Sequence, residues 1–309
     1  MGFAGGIGFA NIDLIYSGLK SLPAKGEEVY AKAFGMHLGG GIPATLINTS
    51  RLGIPSRVVT FIGHDYFSDF VRQEFARYPA EVIDLYEGDG MPVTLSSTMV
   101  CDNDRTFLSY RDPVEITPQI REKALHYLRG AKVVDMHEGF LDVYRTLKEE
   151  GTIHIFDTGW EDDLSIDKHR EYLELADYYV PNQKEALKIT GESTVEGAAE
   201  CLSQFFSDVI IKLDKDGCLL KNKSGIKVIP PMEGVEAVDA TGAGDAFLSG
   251  FIYGIYKGYP VEECLRFGNI TGGHCVQGIG CLTKFVEEKE LLLLAGISGS
   301  RRKAVGESL

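Results

Sequence analysis

The chain alternates short apolar runs rich in β-branched residues with stretches whose apolar positions recur at helical spacing. The run RVVTFIG at 57–63 precedes a segment in which Phe67, Phe70, Val71 and Phe75 recur every three or four residues. The same alternation follows at KVVDMHE, TIHIFDTG, DYYVPN and DVIIKLDKDG. Short buried strands separated by amphipathic helices are typical of βαβ units. The pattern therefore predicts an α/β fold with a mostly parallel sheet and a ligand site at the carboxyl ends of its strands.

Two regions break this alternation. Residues 13–38 contain no long helical pattern, and residues 92–110 are typical of two strands joined by an Asp-Asn-Asp turn. We interpret both as β segments outside the main sheet that form a small β-sheet lid, with lid segments at about 14–38 and 91–111. An irregular edge of the main sheet is the alternative interpretation.

Composition narrows the class of protein. The 309 residues carry a formal net charge of −14, which argues against non-specific binding to nucleic acid or to an anionic membrane. The length fits one large α/β domain with a small appendage, or two domains. No signal peptide or membrane span is recognisable, and the six cysteines form no C-x-x-C pair, which is typical of reduced thiols. We expect a cytoplasmic protein with a disordered tail at 296–309.

The stretch DATGAGDAF at 239–247 carries the strongest chemical signal. Thr241 is predicted to cap a helix whose first turn exposes the backbone N–H groups of residues 242–244. Such amides, with the positive end of the helix dipole, form an anion hole suited to phosphoryl oxygens. We expect Asp245, in the same turn, to be ionised at neutral pH and to take the proton from an attacking hydroxyl. The alternative is an ordinary capped helix with a favourably placed acidic residue.

Together, the motifs of this chain resemble those of the ribokinase-like (PfkB) family of carbohydrate kinases. DATGAGDAF is similar to the C-terminal signature of that family, and GGGIPATLINTSRLG at 39–53 resembles its N-terminal signature. PNQKEA at 181–186 is similar to its N-x-x-E motif, and residues 103–107 resemble its lid sequence. The resemblance covers about residues 3–290. It implies a three-layer α/β/α sandwich with a mostly parallel central sheet and a small β-sheet lid, within one kinase domain at 1–295.

The resemblance also implies a role for each matched residue. The implied catalytic residues are Asp245 as the base, with Gly242, Ala243 and Gly244 as the anion hole. The implied substrate-binding residues are Asn11, Asp13, Gly39, Gly40, Gly41, Glu138 and Arg105, of which Glu138 could equally be a solvated loop carboxylate. The implied nucleotide-binding residues are Asn182, Lys212, Asp214, Gly217, Thr241, Asn269 and Gly280. Glu185 is expected to organise Mg²⁺ through water, and Asp239 lies where some members hold a monovalent cation such as K⁺.

Two positions depart from the family pattern. Ala44 stands where the N-terminal signature usually carries a sugar-binding Asn, and a missing hydrogen bond of that kind costs about 1–3 kcal/mol. This argues against plain ribose as the substrate. Asp214 ends a nucleotide strand that often ends in T-x-G. Its carboxylate would repel phosphates unless it pointed away from them or met a metal.

The resemblance therefore implies a kinase that uses ATP and Mg²⁺ to phosphorylate a hydroxyl, expected to be a primary one, of a sugar or sugar derivative. One alternative is a nucleoside kinase of the same fold, in which Phe107 or Tyr110 stacks on a base. Another is a catalytically silent sugar-binding regulatory protein, motivated by Ala44 and Asp214. Because lid edges can pair between subunits, a homodimer formed through the lid is also expected.

Overall fold

The computed structural model of the protein describes residues 2–101 and 104–297. The strands, in chain order, are β1 (Phe3–Ile7), β2 (Asn11–Ser17), β3 (Ala33–Gly39), β4 (Ser56–Thr60), β5 (Glu81–Asp84), β6 (Thr94–Cys101), β7 (Asp104–Tyr110), β8 (Ala131–Met136), β9 (Ile153–Phe156), β10 (Tyr178–Tyr179), β11 (Val209–Lys212), β12 (Cys218–Asn222) and β13 (Gly225–Ile229). The helices are α1 (Gly41–Arg51), α2 (Tyr66–Phe75), α3 (Pro118–Leu128), α4 (Leu141–Glu149), α5 (Ile166–Leu175), α6 (Gln183–Thr190), α7 (Val195–Leu202), α8 (Ala243–Lys257), α9 (Val261–Cys275) and α10 (Glu288–Leu294).

The central sheet has six strands in the order β10-β9-β8-β1-β4-β5, and every pair of neighbours is parallel. Side chains of successive residues in these strands enter two different cores. Val58 and Val133 pack in one core, whereas Val59 and Val134 pack in the other. Both faces of the sheet are therefore covered, which explains why its strands are continuous apolar runs in the sequence.

Helices cover the two faces of the central sheet. Helices α1, α2, α8, α9 and α10 contribute buried apolar side chains to one core, and α3 to α7 contribute theirs to the other. The predicted three-layer α/β/α architecture is confirmed. None of the helices in the described part of the chain is long and apolar enough to cross a membrane.

Helices α8 and α9 pack closely because two glycines of α8 face α9. A methyl group added at Gly250 would lie 2.5 Å from the carbonyl oxygen of Phe267, and one added at Gly254 would lie 2.5 Å from the Sγ atom of Cys264. These contacts leave no room for a side chain. The close approach fixes the position of α8, whose amino end faces the candidate site.

Two smaller sheets complete the fold. Strands β11, β12 and β13 form an antiparallel sheet, joined to the central sheet by a bridge between Asn182 and Lys212. Strands β3, β2, β6 and β7 form the predicted lid sheet, in which β2 pairs with β6 in parallel and the other pairs are antiparallel. Residues 102 and 103 of the predicted lid turn, and the predicted tail from residue 298 onward, lie outside the described residues.

Candidate active site

The candidate site forms at the amino end of α8, beneath the lid. The residue that caps this helix is Gly242, at φ +74°, which has no side chain to accept a hydrogen bond from the first turn. The prediction that Thr241 is the cap is therefore wrong. The hydroxyl and the backbone N–H of Thr241 both donate to Oδ1 of Asp239. The turn requires a left-handed residue at the cap position, and glycine adopts that conformation without strain. Of the three amides predicted to form the anion hole, that of Ala243 donates to the carbonyl oxygen of Ala240 at 3.3 Å, which leaves those of Gly242 and Gly244 as the candidate donors for an anion.

The glycines of this turn are required for different reasons. A methyl group at Gly242 would lie 2.0 Å from Cβ of Cys281, so the turn packs directly against the 276–283 segment. A methyl group at Gly244 would lie 3.3 Å from Nζ of Lys212. Gly242 thus allows the turn to form, and Gly244 keeps open the space between the turn and a buried ammonium group.

Asp245 follows directly and is only partly exposed. Burial raises the pKa of its carboxyl to about 7, and the negative charges of Asp157, Asp13 and Glu185 raise it while the ammonium of Lys212 lowers it. The expectation that Asp245 is fully ionised at neutral pH is therefore wrong. A carboxyl with a pKa near 7 is well suited to accept a proton at neutral pH.

The predicted substrate-binding residues meet Asp245 at the base of the lid. Nδ2 of Asn11 donates to Oδ1 of Asp13 at 2.7 Å, and a methyl group at Gly39 would lie 2.4 Å from Oδ2 of Asp13. Gly40, at φ +99°, caps α1, and a methyl group at Gly41 would lie 3.6 Å from Oδ1 of Asp245. The glycine turn therefore runs from the Asp13 carboxylate to the Asp245 carboxylate. The charge of Asp13 is close enough to raise the pKa of Asp245.

A cleft of about 900 Å³ opens beside the first turn of α8. Its walls come from the end of β11, the loop before α6, the turn of α8 and one face of α9; they include Asn182, Lys212, Asp214, Gly217, Gly242, Ala243, Gly244, Asp245 and Asn269. Most of the residues predicted to bind the nucleotide are thus brought together in one cleft. Thr241 and Gly280 do not line it.

Two carboxyl groups of the site, one partly buried and one buried, were not predicted from the sequence. Nζ of Lys212 lies 2.7 Å from Oδ2 of Asp157, which directly follows β9. Asp135, in β8, is 2% exposed, and its Oδ2 atom has no hydrogen-bond partner among the described residues. Burial raises the pKa of Asp135 well above its usual range, and the charges of Asp157 and Asp245 add to this effect. The sequence could have indicated both residues by their position, since KVVDMH and IFDTG each place an Asp at or near the end of a predicted parallel strand.

Asn182 and Glu185 form a reciprocal cap at the start of α6. The backbone N–H of Glu185 donates to Oδ1 of Asn182, and Oε2 of Glu185 accepts from the backbone N–H of Asn182. Glu185 is 5% exposed, and burial with the nearby Asp157 charge raises its pKa. The N-x-x-E motif therefore has a structural function as well as a predicted functional one.

The remaining nucleotide-side residues have identifiable structural contacts. Oδ2 of Asp214 accepts from Nε2 of Gln183 at 2.8 Å, so a neutral amide holds the carboxylate that was expected to repel phosphates. Nδ2 of Asn269 donates to two backbone carbonyls, of Ile229 and Pro230. Gly217, at φ +89°, has no space for a Cβ, which would lie 2.2 Å from the carbonyl oxygen of Ile229.

Asp239 and Gly280 connect two loops. Oδ2 of Asp239 accepts from the backbone N–H of Gly280 at 2.9 Å, while its Oδ1 atom accepts from Thr241. These contacts hold the loop before α8 against the 276–283 segment. A monovalent-cation site at Asp239 stays a prediction.

Glu138, another predicted substrate-binding residue, has its own set of contacts. Oε1 of Glu138 lies 2.5 Å from Nε2 of the buried His169 on α5, beside Glu161. Its contact with substrate therefore stays a prediction, as does that of Arg105, whose side chain lies outside the described part of the structure.

The chain belongs to a known family. Residues 6–289 match the sequence model of the pfkB family carbohydrate kinases, so the protein is a member of this family of phosphotransferases. Ribokinase of Arabidopsis thaliana is 26% identical over 94% of this chain and 80% of that protein. Two other matches cover less than two thirds of the relative. An uncharacterized sugar kinase of Archaeoglobus fulgidus is 35% identical over 33% of this chain and 40% of that protein. Cytidine kinase of Thermococcus kodakarensis is 32% identical over 50% of each chain.

A solved structure supports the fold assignment. The structure of Arabidopsis thaliana ribokinase complexed with ribose and ATP superimposes with a TM-score of 0.81 at 23% sequence identity. The superposition covers 96% of this chain and 100% of that chain. The ribokinase fold predicted from the sequence is confirmed, including the small lid sheet.

Proposed function

We propose that the protein transfers the γ-phosphoryl group of ATP to a hydroxyl, expected to be a primary one, of a sugar or sugar derivative. The observation that carries this proposal is the position of Asp245. Asp245 lines the large cleft, its Oδ1 atom lies beside Gly41, and its carboxyl is close enough to Asp13 for the charge of Asp13 to raise its pKa. The first turn of α8, which precedes Asp245 directly, also lines this cleft, and its amides are where a phosphoryl group in transit would need stabilisation.

Each group of the site has a role in this proposal. The acceptor is held by Asn11 and Asp13, because a carboxylate that accepts hydrogen bonds from two hydroxyls recognises a polyol well. The amides of Gly242 and Gly244 bind the oxygens of the transferred group. Asp245 takes the proton of the attacking hydroxyl, and the lid limits access of water that would otherwise compete as acceptor.

The donor set at the cleft fits a hydrated magnesium ion that enters with ATP. Glu185 and Asp157 are oxygen donors beside the cleft, and Asp135 retains a buried oxygen without a partner among the described residues. When bound, the ion would neutralise charge on the phosphates. Lys212 supplies a fixed positive charge from the protein itself, since Asp157 and Glu185 outweigh the effect of burial and leave its pKa raised.

A nucleoside kinase of the same fold is the second candidate. It is supported by the similarity to cytidine kinase of Thermococcus kodakarensis and by two exposed lid aromatics, Phe107 and Tyr110. A catalytically silent sugar-binding protein is disfavoured because the proposed base Asp245, the glycine turn at 242–244 and the cleft are all present. The exposed lid residues Tyr30, Phe34 and Leu108 support a homodimer formed through the lid.

An ATP-consumption screen tests the proposal. The acceptors are ketoses, aldoses, sugar acids, glycated amino acids and nucleosides, each with and without Mg²⁺ or K⁺. Acceptor-dependent ADP formation should fall by about 10²–10⁴-fold in Asp245→Asn, because this is the contribution that a general base makes. Retained acceptor binding in that variant shows that the loss is chemical. Near-normal turnover by Asp245→Asn would reject the base assignment, and preferred turnover of nucleosides would favour the second candidate.

A further inference from the structure

Alternate residues of the lid strands form a polar row on the face that carries Asp13. In the strand pairing, Asn11 lies opposite Thr94 and Asp13 lies opposite Ser96. Ser96 in turn lies opposite Ser109, and their hydroxyl oxygens are 2.7 Å apart. Since paired residues and every second residue of a strand project to the same face, this row belongs to the acceptor side of the lid.

Arg111 ends this row. The last pair between β6 and β7 joins Leu95 to Tyr110, so the next residue, Arg111, falls opposite Thr94 and on the face of Asn11. Two strand spacings, about 9–10 Å, separate the backbones of Asn11 and Arg111. Asp112 fixes the chain beside Arg111, because its Oδ2 atom accepts from the backbone N–H of Met91.

An aromatic ring beside the glycine turn at 39–41 holds the guanidinium group of Arg111. The Cζ atom of Arg111 lies 3.5 Å from the centroid of the Phe9 ring, which stacks on Phe61 at 4.9 Å. The backbone of Phe9 borders the glycine turn, since a methyl group at Gly40 would lie 2.6 Å from the carbonyl oxygen of Phe9. A guanidinium flat on this ring keeps its N–H edges available for a planar anion.

No acidic side chain within the described residues pairs with Arg111. The neighbouring Asp112 is already engaged by Met91 and by the hydroxyl of Tyr110, which donates to its Oδ1 atom. Burial lowers the pKa of Arg111, and no carboxylate offsets this effect. Arg57 shows the contrast: it lies 4.3 Å over the ring of Phe3, yet it also pairs with Glu81 at 2.7 Å. Arg111 is exposed, so its guanidinium is accessible to a bound anion, which would supply the counter-ion that the described residues do not.

We propose that the acceptor carries an anionic group, a carboxylate or a phosphate monoester, which Arg111 binds at the end remote from the hydroxyl that faces Asp245. The proposal rests on the proposed kinase function and specifies its substrate class. Asn11 and Asp13 bind the hydroxyls between the two ends. Arg111 therefore distinguishes acidic sugar derivatives from neutral sugars of similar shape.

Matched pairs of acceptors test this proposal. The pairs are D-gluconate with D-glucose, D-glucuronate with D-glucose, D-fructose 6-phosphate with D-fructose, and D-ribose 5-phosphate with D-ribose. We expect at least one acidic member to exceed its neutral counterpart by about 100-fold in kcat/KM. Arg111→Gln should lower that value about 100-fold, mainly through KM, and leave the neutral counterpart unchanged. Arg111→Lys should restore part of the loss, and Arg57→Gln is the matched control that leaves the preference intact.

Calorimetric titration without ATP separates this proposal from the kinase function. Acidic ligands that bind through Arg111 without any ATP consumption would support the anion site and reject the kinase. Preferred turnover of neutral sugars would support the kinase and overturn the anion site. Equal loss for both members of every pair in Arg111→Gln would also overturn it, since that result indicates a structural role only. Carboxylate and phosphate pairs that respond differently identify which anion the site accepts.

Discussion

The ammonium nitrogen of Lys212 lies 2.7 Å from Oδ2 of Asp157 and also faces the first turn of α8, where Asp245 stands. This pair joins the end of β11 to the end of β9 inside the candidate site. The ammonium group opposes the burial and the carboxylates that raise the pKa of Asp245. The protonation of Asp245, the predicted base, therefore depends on the charge of Lys212.

The first prediction concerns the pH dependence of turnover. Asp245 must be deprotonated to accept a proton, so kcat/KM should fall as pH decreases through about 7. Lys212→Met removes the charge that lowers the pKa of Asp245, and the acidic limb of the profile should move to higher pH. Lys221→Met, which removes a lysine paired with Glu200, should leave the limb in place. A profile unaffected by Lys212→Met would contradict the proposed coupling.

The second prediction concerns stability. The pKa of Asp245 is raised to about 7 in the folded protein, above its value in an unfolded chain, so ionisation of this carboxyl opposes folding. The stability that the protonated form provides is complete below the unfolded pKa and is lost as pH rises through about 7. Asp245→Asn should therefore raise Tm more at pH 8 than at pH 5. Thermal unfolding at the two values measures this, and an equal shift at both would show that the carboxyl is not perturbed.

The third prediction compares two glycines of the anion hole. Gly242→Ala places a Cβ at positive φ and 2.0 Å from Cys281, so Tm should fall by several degrees and turnover should be lost. Gly244→Ala meets only the end of the flexible Lys212 side chain, at 3.3 Å, and should leave Tm nearly unchanged. Its methyl group would enter the space near the phosphoryl group, so KM for ATP should rise by about tenfold. Unchanged ATP kinetics in a folded Gly244→Ala protein would place the phosphates elsewhere.

The fourth prediction separates the two roles of Glu185. Gln can still accept the backbone hydrogen bond of Asn182, so Glu185→Gln should keep the cap of α6 and lose only the negative charge. We expect Tm to be maintained and the Mg²⁺ concentration for half-maximal activity to rise. Glu185→Ala removes both functions and should also lower stability by about 1 kcal/mol. If Glu185→Gln shows wild-type Mg²⁺ dependence, the residue is a helix cap only.

The sequence predicted the architecture well because the architecture follows from repeated local patterns. The run RVVTFIG carries residues for both cores, and this double burial is what makes a parallel strand visible. The motif around Asp245 was equally clear, because DATGAGDAF as a whole is similar to the C-terminal signature of the family, although a loop at 230–242 rather than a strand precedes α8. Its local geometry was less accessible: Gly242 rather than Thr241 caps the helix, because Asp239 holds the Thr241 side chain.

The charges of the site could not be predicted in the same way. The pKa of Asp245 depends on Asp157 and Asp13, which lie 88 and 232 residues away along the chain and meet it only after folding. Asp135 resembled an ordinary polar residue in a strand. Arg111 stood next to an acid in the sequence, and only the structure showed that Asp112 is bound to other groups. The pKa values and ion pairs of the site arise from contacts between residues far apart in the chain, so they become visible only in the folded structure.

Asn11 and Asp13 stand on β2, a strand of the lid, whereas Asp245 belongs to a helix packed on the central sheet. Under the proposed function, the groups that would hold the acceptor stand on the lid sheet, and the group that would activate it stands on α8. Ile12 of β2 and Phe247 of α8 are buried in the same core, which ties the two sets of groups together. An acceptor would then be selected by where its hydroxyl falls relative to Asp245, as well as by the contacts to its other oxygens.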